Sequence, residues 1–130
     1  MIDRTWRRVG AAAIGAAGAI HLLLTPEYFG QQPYIGVLFA LGGIAAVAIA
    51  AALWARDRAT WWALGELLCA GMALGFIASR TVGLPGFQES EWELSGIVSL
   101  LLEAGFIALA SSALASHSAR FQRESESLPA

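Results

Sequence analysis

Five side chains stand where chemistry inside an apolar chain would need them: His21, Glu66, Cys69, Arg80 and Glu103. Each lies within, or at the edge of, a long apolar run. An ionisable group inside a bilayer is costly and marks a functional position by default. Glu103 lies deepest, roughly 13 Å into the last apolar run at 1.5 Å per residue. Gly96, Ser99 and Ala110 share its helical face, so the carboxyl is expected to point inward. It would bind a proton or a ligand there; the plainer reading is a structural hydrogen-bond partner.

Arg80 is the exception to the charge pattern of the chain. It would line an outward-facing pocket with His21 and Glu103, roofed by the segment from Thr81 to Trp92. The plainer reading is an anchor paired with Glu89, Glu91 or Glu93. His21 shares a face with Gly10, Ala17, Gly18 and Thr25, which predicts an interior position. It has no partner at metal-ligand spacing, so a packing role competes with a binding one. His117 is expected to face solvent.

Glu66 opens a polar stripe on the third run, with Cys69, Ala73 and Arg80 within roughly 60° of it. Glu66 and Glu103 together would make a proton relay. The plainer reading has Glu66 reaching for the interface or pairing with Arg56 or Arg58. On the opposite face, Gly71-x-x-x-Gly75 predicts close helix packing. Cys69 and Met72 would suit a soft metal, but no Cys-x-x-Cys or Met-rich pattern accompanies them. A single cysteine excludes an intramolecular disulfide. There is no Gly-x-Ser-x-Gly elbow, phosphate loop, His-Glu-x-x-His or haem-attachment motif. The residues therefore name no catalytic set, no metal site and no cofactor.

The elements that must position these side chains follow from composition. The chain has 130 residues, of which 57% are hydrophobic and 14% charged, with a mean hydropathy of +0.60. A soluble domain carries about a quarter charged residues. This chain has too little charge for a soluble surface, and reads as an all-α transmembrane four-helix bundle. One bilayer crossing takes about 20 apolar residues. The spans are read at about 6–24, 35–55, 61–79 and 94–116, in a single domain of residues 1–130. That leaves no room for a separate soluble catalytic domain. A net charge of −2 does not suggest nucleic acid as a partner. No small-x-small cleavage site closes the first run, so it is expected to be retained.

All eight basic residues are Arg. Arg4, Arg7, Arg8, Arg56, Arg58, Arg120 and Arg123 fall on one side, and Arg80 alone on the other. That asymmetry predicts cytoplasmic N and C termini. Trp6, Trp54, Trp61 and Trp62 are expected at the inner boundary. Tyr28, Phe29, Tyr34, Phe87 and Trp92 are expected at the outer one. Thr25-Pro26-Glu27 predicts a short interfacial helix of its own. Ser90-Glu91-Trp92-Glu93 reads as a capping box opening the fourth helix. Gly83-Leu84-Pro85-Gly86 is a turn cluster. The polar tail, 120–130, is expected to fray.

Two stretches also carry a resemblance: Ala17-Gly18-Ala19-Ile20-His21-Leu22 followed by Thr25-Pro26-Glu27-Tyr28-Phe29, and Ser79-Arg80-Thr81-Val82-Gly83-Leu84-Pro85. With a Glu in the last span, here Glu103, the chain resembles a family of small four-helix integral membrane proteins of actinobacterial type. The resemblance implies four helices, a membrane location, and emphasis on His21, Glu27 and Arg80. It implies no reaction. In that pattern a second His often stands where Tyr28 stands here, a departure that argues against transferring a two-His metal site.

The leading expectation is a non-enzymatic protein of the bacterial cytoplasmic membrane with an outward-facing polar site at His21, Glu27, Arg80 and Glu103. It would bind a small ligand or lipid, or join a larger membrane complex. The alternative is an oligomeric proton-coupled transporter or channel using Glu66 and Glu103.

Overall fold

The computed structural model describes residues 3–129. It is an all-α bundle of four helices: α1 (Arg4–Gln31), α2 (Pro33–Ala55), α3 (Ala59–Arg80) and α4 (Leu94–Ser127). All four are long and apolar enough to cross a membrane. The helices run alternately up and down. The two ends of the chain and the short α2–α3 connection therefore share one end of the bundle. The other end holds the α1–α2 junction and the loop 81–93.

Asp3 caps α1, its Oδ1 accepting from the Trp6 N–H at 3.0 Å. The helix then runs straight through Pro26 to Gln31, so no separate interfacial helix starts at Thr25. A proline removes one backbone donor, and in a membrane helix a hydroxyl can compensate nearby. Here the Thr25 hydroxyl donates to the His21 carbonyl at 2.8 Å. Tertiary contacts at Tyr28 and Gln32 hold the last turns in place. Gln32 alone separates α1 from α2, and Pro33 occupies the first turn of α2.

The α1–α2 interface is close because two glycines oppose each other. A Cβ on Gly18 would lie 3.0 Å from the Gly43 carbonyl oxygen, and one on Gly43 would lie 3.0 Å from that of Gly18. Small residues permit such approach where burial alone gives little gain in lipid. At the chain-terminus end the core closes around Trp62, Phe106, Ile14 and Leu53, all fully buried. Trp62 stacks on Phe106 with ring centroids 5.5 Å apart.

Trp62 therefore lies in the core and not at a headgroup boundary. Its indole N–H donates to Asp57 at 2.8 Å. Asp57 also bonds His117 at 3.0 Å, so His117 closes the bundle end instead of facing solvent freely. Arg7 donates to the Leu53 and Trp54 carbonyls, at 2.6 and 2.9 Å, and so caps the end of α2.

Two further expectations change. The capping box does not form; Glu93 is the N-cap of α4 without a side-chain cap bond. Glu93 is instead turned toward Arg80. The tail is also helical to Ser127, because Ala119, Arg120, Gln122, Arg123 and Glu124 are good helix formers that extend α4 beyond its apolar part.

Candidate functional site

Between α2 and α3, toward the loop end, the bundle is open. A cavity of about 620 Å³ lies there. Its walls come from Leu38 and Gly42 on α2 and from Leu68, Gly71, Met72 and Gly75 on α3. Its floor comes from α1 and α4. A Cβ built on Gly71 or Gly75 would meet nothing within 4 Å. The Gly71-x-x-x-Gly75 motif therefore does not pack helices within this chain. The absent side chains widen the cavity instead. Leu38, Leu41, Leu64 and Leu67 border the cavity and are exposed, so the cavity opens sideways onto the apolar surface.

The loop 81–93 roofs it. Leu84 and Phe87 exchange backbone hydrogen bonds at 2.7 and 2.9 Å across the turn Pro85-Gly86. Gly86 has φ +64°, the left-handed conformation that a turn of this kind needs after its proline. The Gln32 amide donates to the Gly86 carbonyl at 3.1 Å, and the Tyr34 hydroxyl donates to the Pro85 carbonyl. The apolar side chains of Leu84 and Phe87 then face the cavity.

Arg80 fastens this roof. Its side chain is only 3% exposed. Nε donates to the Glu91 carbonyl at 3.2 Å, Nη1 to Ser79 Oγ at 2.7 Å, and Nη2 to Tyr28 Oη at 3.1 Å and Glu93 Oε1 at 3.5 Å. Phe76 covers the guanidinium face at 4.1 Å. One side chain thus joins the ends of α1, α3 and α4. Tyr28 is drawn inward by that network, is 2% exposed, and stacks on Phe39 at 4.3 Å. Its burial, and that of Phe87, differ from the interfacial placement expected for both.

His21 lies lower on α1. Its Nδ1 is 2.8 Å from the Ala17 carbonyl oxygen. A carbonyl cannot donate, so Nδ1 carries the proton and Nε2 of the neutral ring is left as an acceptor. The ring packs on Phe39 at 4.8 Å and lines the cavity. Glu103, 2% exposed, lines it from α4. Its Oε1 accepts from Ser99 at 3.2 Å, while Oε2 is buried and without a partner.

Of the sequence-selected residues, His21, Arg80 and Glu103 line one cavity. Glu27 does not; it is exposed on α1 beside Gln31, 3.4 Å away. Glu66 lies outside the cavity too, and accepts from Ser111 on α4 instead of pairing with Arg56 or Arg58. No hydrogen bond among the described residues joins Glu66 to Glu103. Cys69 is buried in the core. Tyr28, Phe39, Ser79 and Ser99 also belong to the site; the sequence put Ser99 on the face of Glu103 and held Tyr28 and Ser79 only within the resemblance stretches, and nothing in it pointed to Phe39. Among the described residues no group of three or more His, Cys, Asp or Glu is placed to hold a metal.

No family model matches the chain, and neither a curated protein nor a solved structure matches it.

Proposed function

We propose that the protein is a non-enzymatic, multi-pass protein of the bacterial cytoplasmic membrane. It binds a small amphiphilic ligand that enters sideways between α2 and α3. The seven Arg residues at the chain-terminus end support a cytoplasmic position for that end, by the positive-inside rule. The cavity then lies in the outer half of the bilayer, under the loop 81–93. The observation that carries the reading is the cavity itself: apolar walls, a lateral opening, and a few polar groups at fixed places, the usual make-up of a small-molecule site. The resemblance to small four-helix membrane proteins supports the location and adds no reaction.

The proton-relay alternative has less support, since Glu66 and Glu103 are engaged in separate pairs with Ser111 and Ser99. Photolabelling tests the ligand reading. A neutral, medium-chain alkyl probe bearing a diazirine is expected to label Leu38, Met72 and their neighbours in bilayer-reconstituted protein. Gly71→Phe, which fills the cavity, is expected to abolish that labelling without loss of helicity. Equal labelling of the variant would contradict the reading.

A further inference from the structure

The polar groups of the cavity are unevenly spent. Every hydroxyl in its wall has given its one proton away: Ser99 to Glu103, Ser79 to the Phe76 carbonyl, and Tyr28 toward Glu93. Arg80 has used four of its five N–H groups, and Phe76 covers its face. The proton on His21 Nδ1 goes to Ala17. Two positions are left over: His21 Nε2, an acceptor when Nδ1 holds the ring's one proton, and Glu103 Oε2, an acceptor when the carboxyl is ionised.

Charge follows the same pattern. Arg80 is matched by Glu93 at 3.5 Å, but no cation bonds Glu103. A buried carboxylate left with one hydrogen bond and no counter-ion is expensive. An anionic headgroup would meet a carboxylate and a spent guanidinium. An acceptor-only group would find no free hydroxyl donor.

Resting on the ligand-site reading above, we infer that the cavity takes a lipophilic amine. Its ammonium N–H groups donate to Glu103 Oε2 and His21 Nε2, and its apolar body lies between α2 and α3. The aromatic rings of Phe39 and Tyr28 flank the His21 side of the cavity and favour a cation there. The lining explains why an amine would bind tightly only with an apolar tail: the rest of the wall is almost wholly aliphatic, aromatic and glycine.

The test uses the full chain in phosphatidylcholine nanodiscs and three diazirine probes of equal chain length, ending in a primary amine, a methyl ketone or a carboxylate. The amine is expected to label cavity peptides about tenfold more than the other two, the effect of one added charge-assisted pair. Glu103→Gln is expected to bring the amine down to the level of the ketone, while Glu66→Gln keeps the preference. His21→Phe, which removes the second acceptor, is expected to lower amine labelling about threefold. This variant serves if Glu103→Gln does not fold. Ketone or carboxylate labelling equal to the amine would overturn the amine assignment and leave the cavity reading standing. So would an amine preference that neither the Glu103 nor the His21 substitution lowers. Labelling of the cavity by none of the probes would overturn the ligand site itself.

Discussion

On α3, Gly65 and Gly71 lie less than two turns apart and have opposite surroundings. A Cβ on Gly65 would stand 2.6 Å from the Phe106 ring and 3.1 Å from Ile14. A Cβ on Gly71 would meet nothing. Below Gly65, at the chain-terminus end, the bundle is closed by Trp62, Phe106 and Leu53 and latched by Asp57, Trp62 and His117. Above Gly71, toward the loop end, the same helix draws away from α2 and the space is left to a cavity. One small residue lets a neighbour in, and the other leaves room for something outside the chain. Composition does not separate these uses. Packing density does, since a filled interior resists even one added methyl group while an open one accepts it.

The largest effect should come from attacking the closed half. Gly65→Leu is expected to lower stability by about 3 kcal/mol or more, because Phe106 and Trp62 are fully buried and have nowhere to move. Unfolding in mixed micelles measures it; a change under about 0.5 kcal/mol would mean that the half is not closed.

The roof comes next. Arg80→Met removes the bonds to Glu93, Tyr28, Ser79 and the Glu91 carbonyl together, and is expected to cost about 2 kcal/mol. Backbone amides of the loop should exchange faster with solvent deuterium, Phe87 and Glu89 first, while those near Trp62 keep their protection. Uniform loss of protection would show that the two halves are a single unit.

The latch at the closed end gives a pH effect of moderate size. Burial acts to raise the Asp57 pKa, but the hydrogen bonds from His117 and Trp62, and the charges of His117 and Arg7, outweigh it and hold the carboxyl below its ordinary value. The folded form thus favours the ionised carboxylate. Its contribution is complete above the unfolded value of about 4 and is lost as the pH falls through the lower folded value. Acidification from neutral toward pH values of about 3 should lower the melting temperature, and Asp57→Asn should blunt that dependence. An identical slope in the variant would remove Asp57 as its source.

The smallest effect belongs to the open half. Gly71→Ala and Gly75→Ala should each be neutral or stabilising, by up to about 1 kcal/mol, through helix propensity alone. Destabilisation of more than that would mean α2 and α3 close in the membrane.

Much of this was legible in the sequence, and the omissions have a common cause. Apolar runs located all four helices, and the spacing around Glu103 and His21 placed both inward. What spacing could not read was which partner a face would meet. Tyr28 looked like an interfacial ring and is held inside by Arg80. His117 looked solvent-facing and meets Asp57 across the bundle. Gly71 and Gly75 carried a packing motif and face an opening. The α1 helix passes Pro26 because contacts beyond it outweigh one missing hydrogen bond. The cavity is a property of how far α2 stands from α3, and α2 is apolar on every side, so its sequence does not mark the face that borders the opening.

The claim that most needs testing is that the opening between α2 and α3 persists in a bilayer. Spin labels on cysteines at Leu41 and Leu67, with Cys69 replaced by Ser, would measure the separation across the lateral opening. Both sites are exposed and border the cavity. One narrow distance distribution is expected in nanodiscs, centred on the separation in the structure and unchanged by Gly71→Phe. A shorter distance in the parent, moved outward by Gly71→Phe, would show that the helices close on each other and that no cavity exists to receive a ligand.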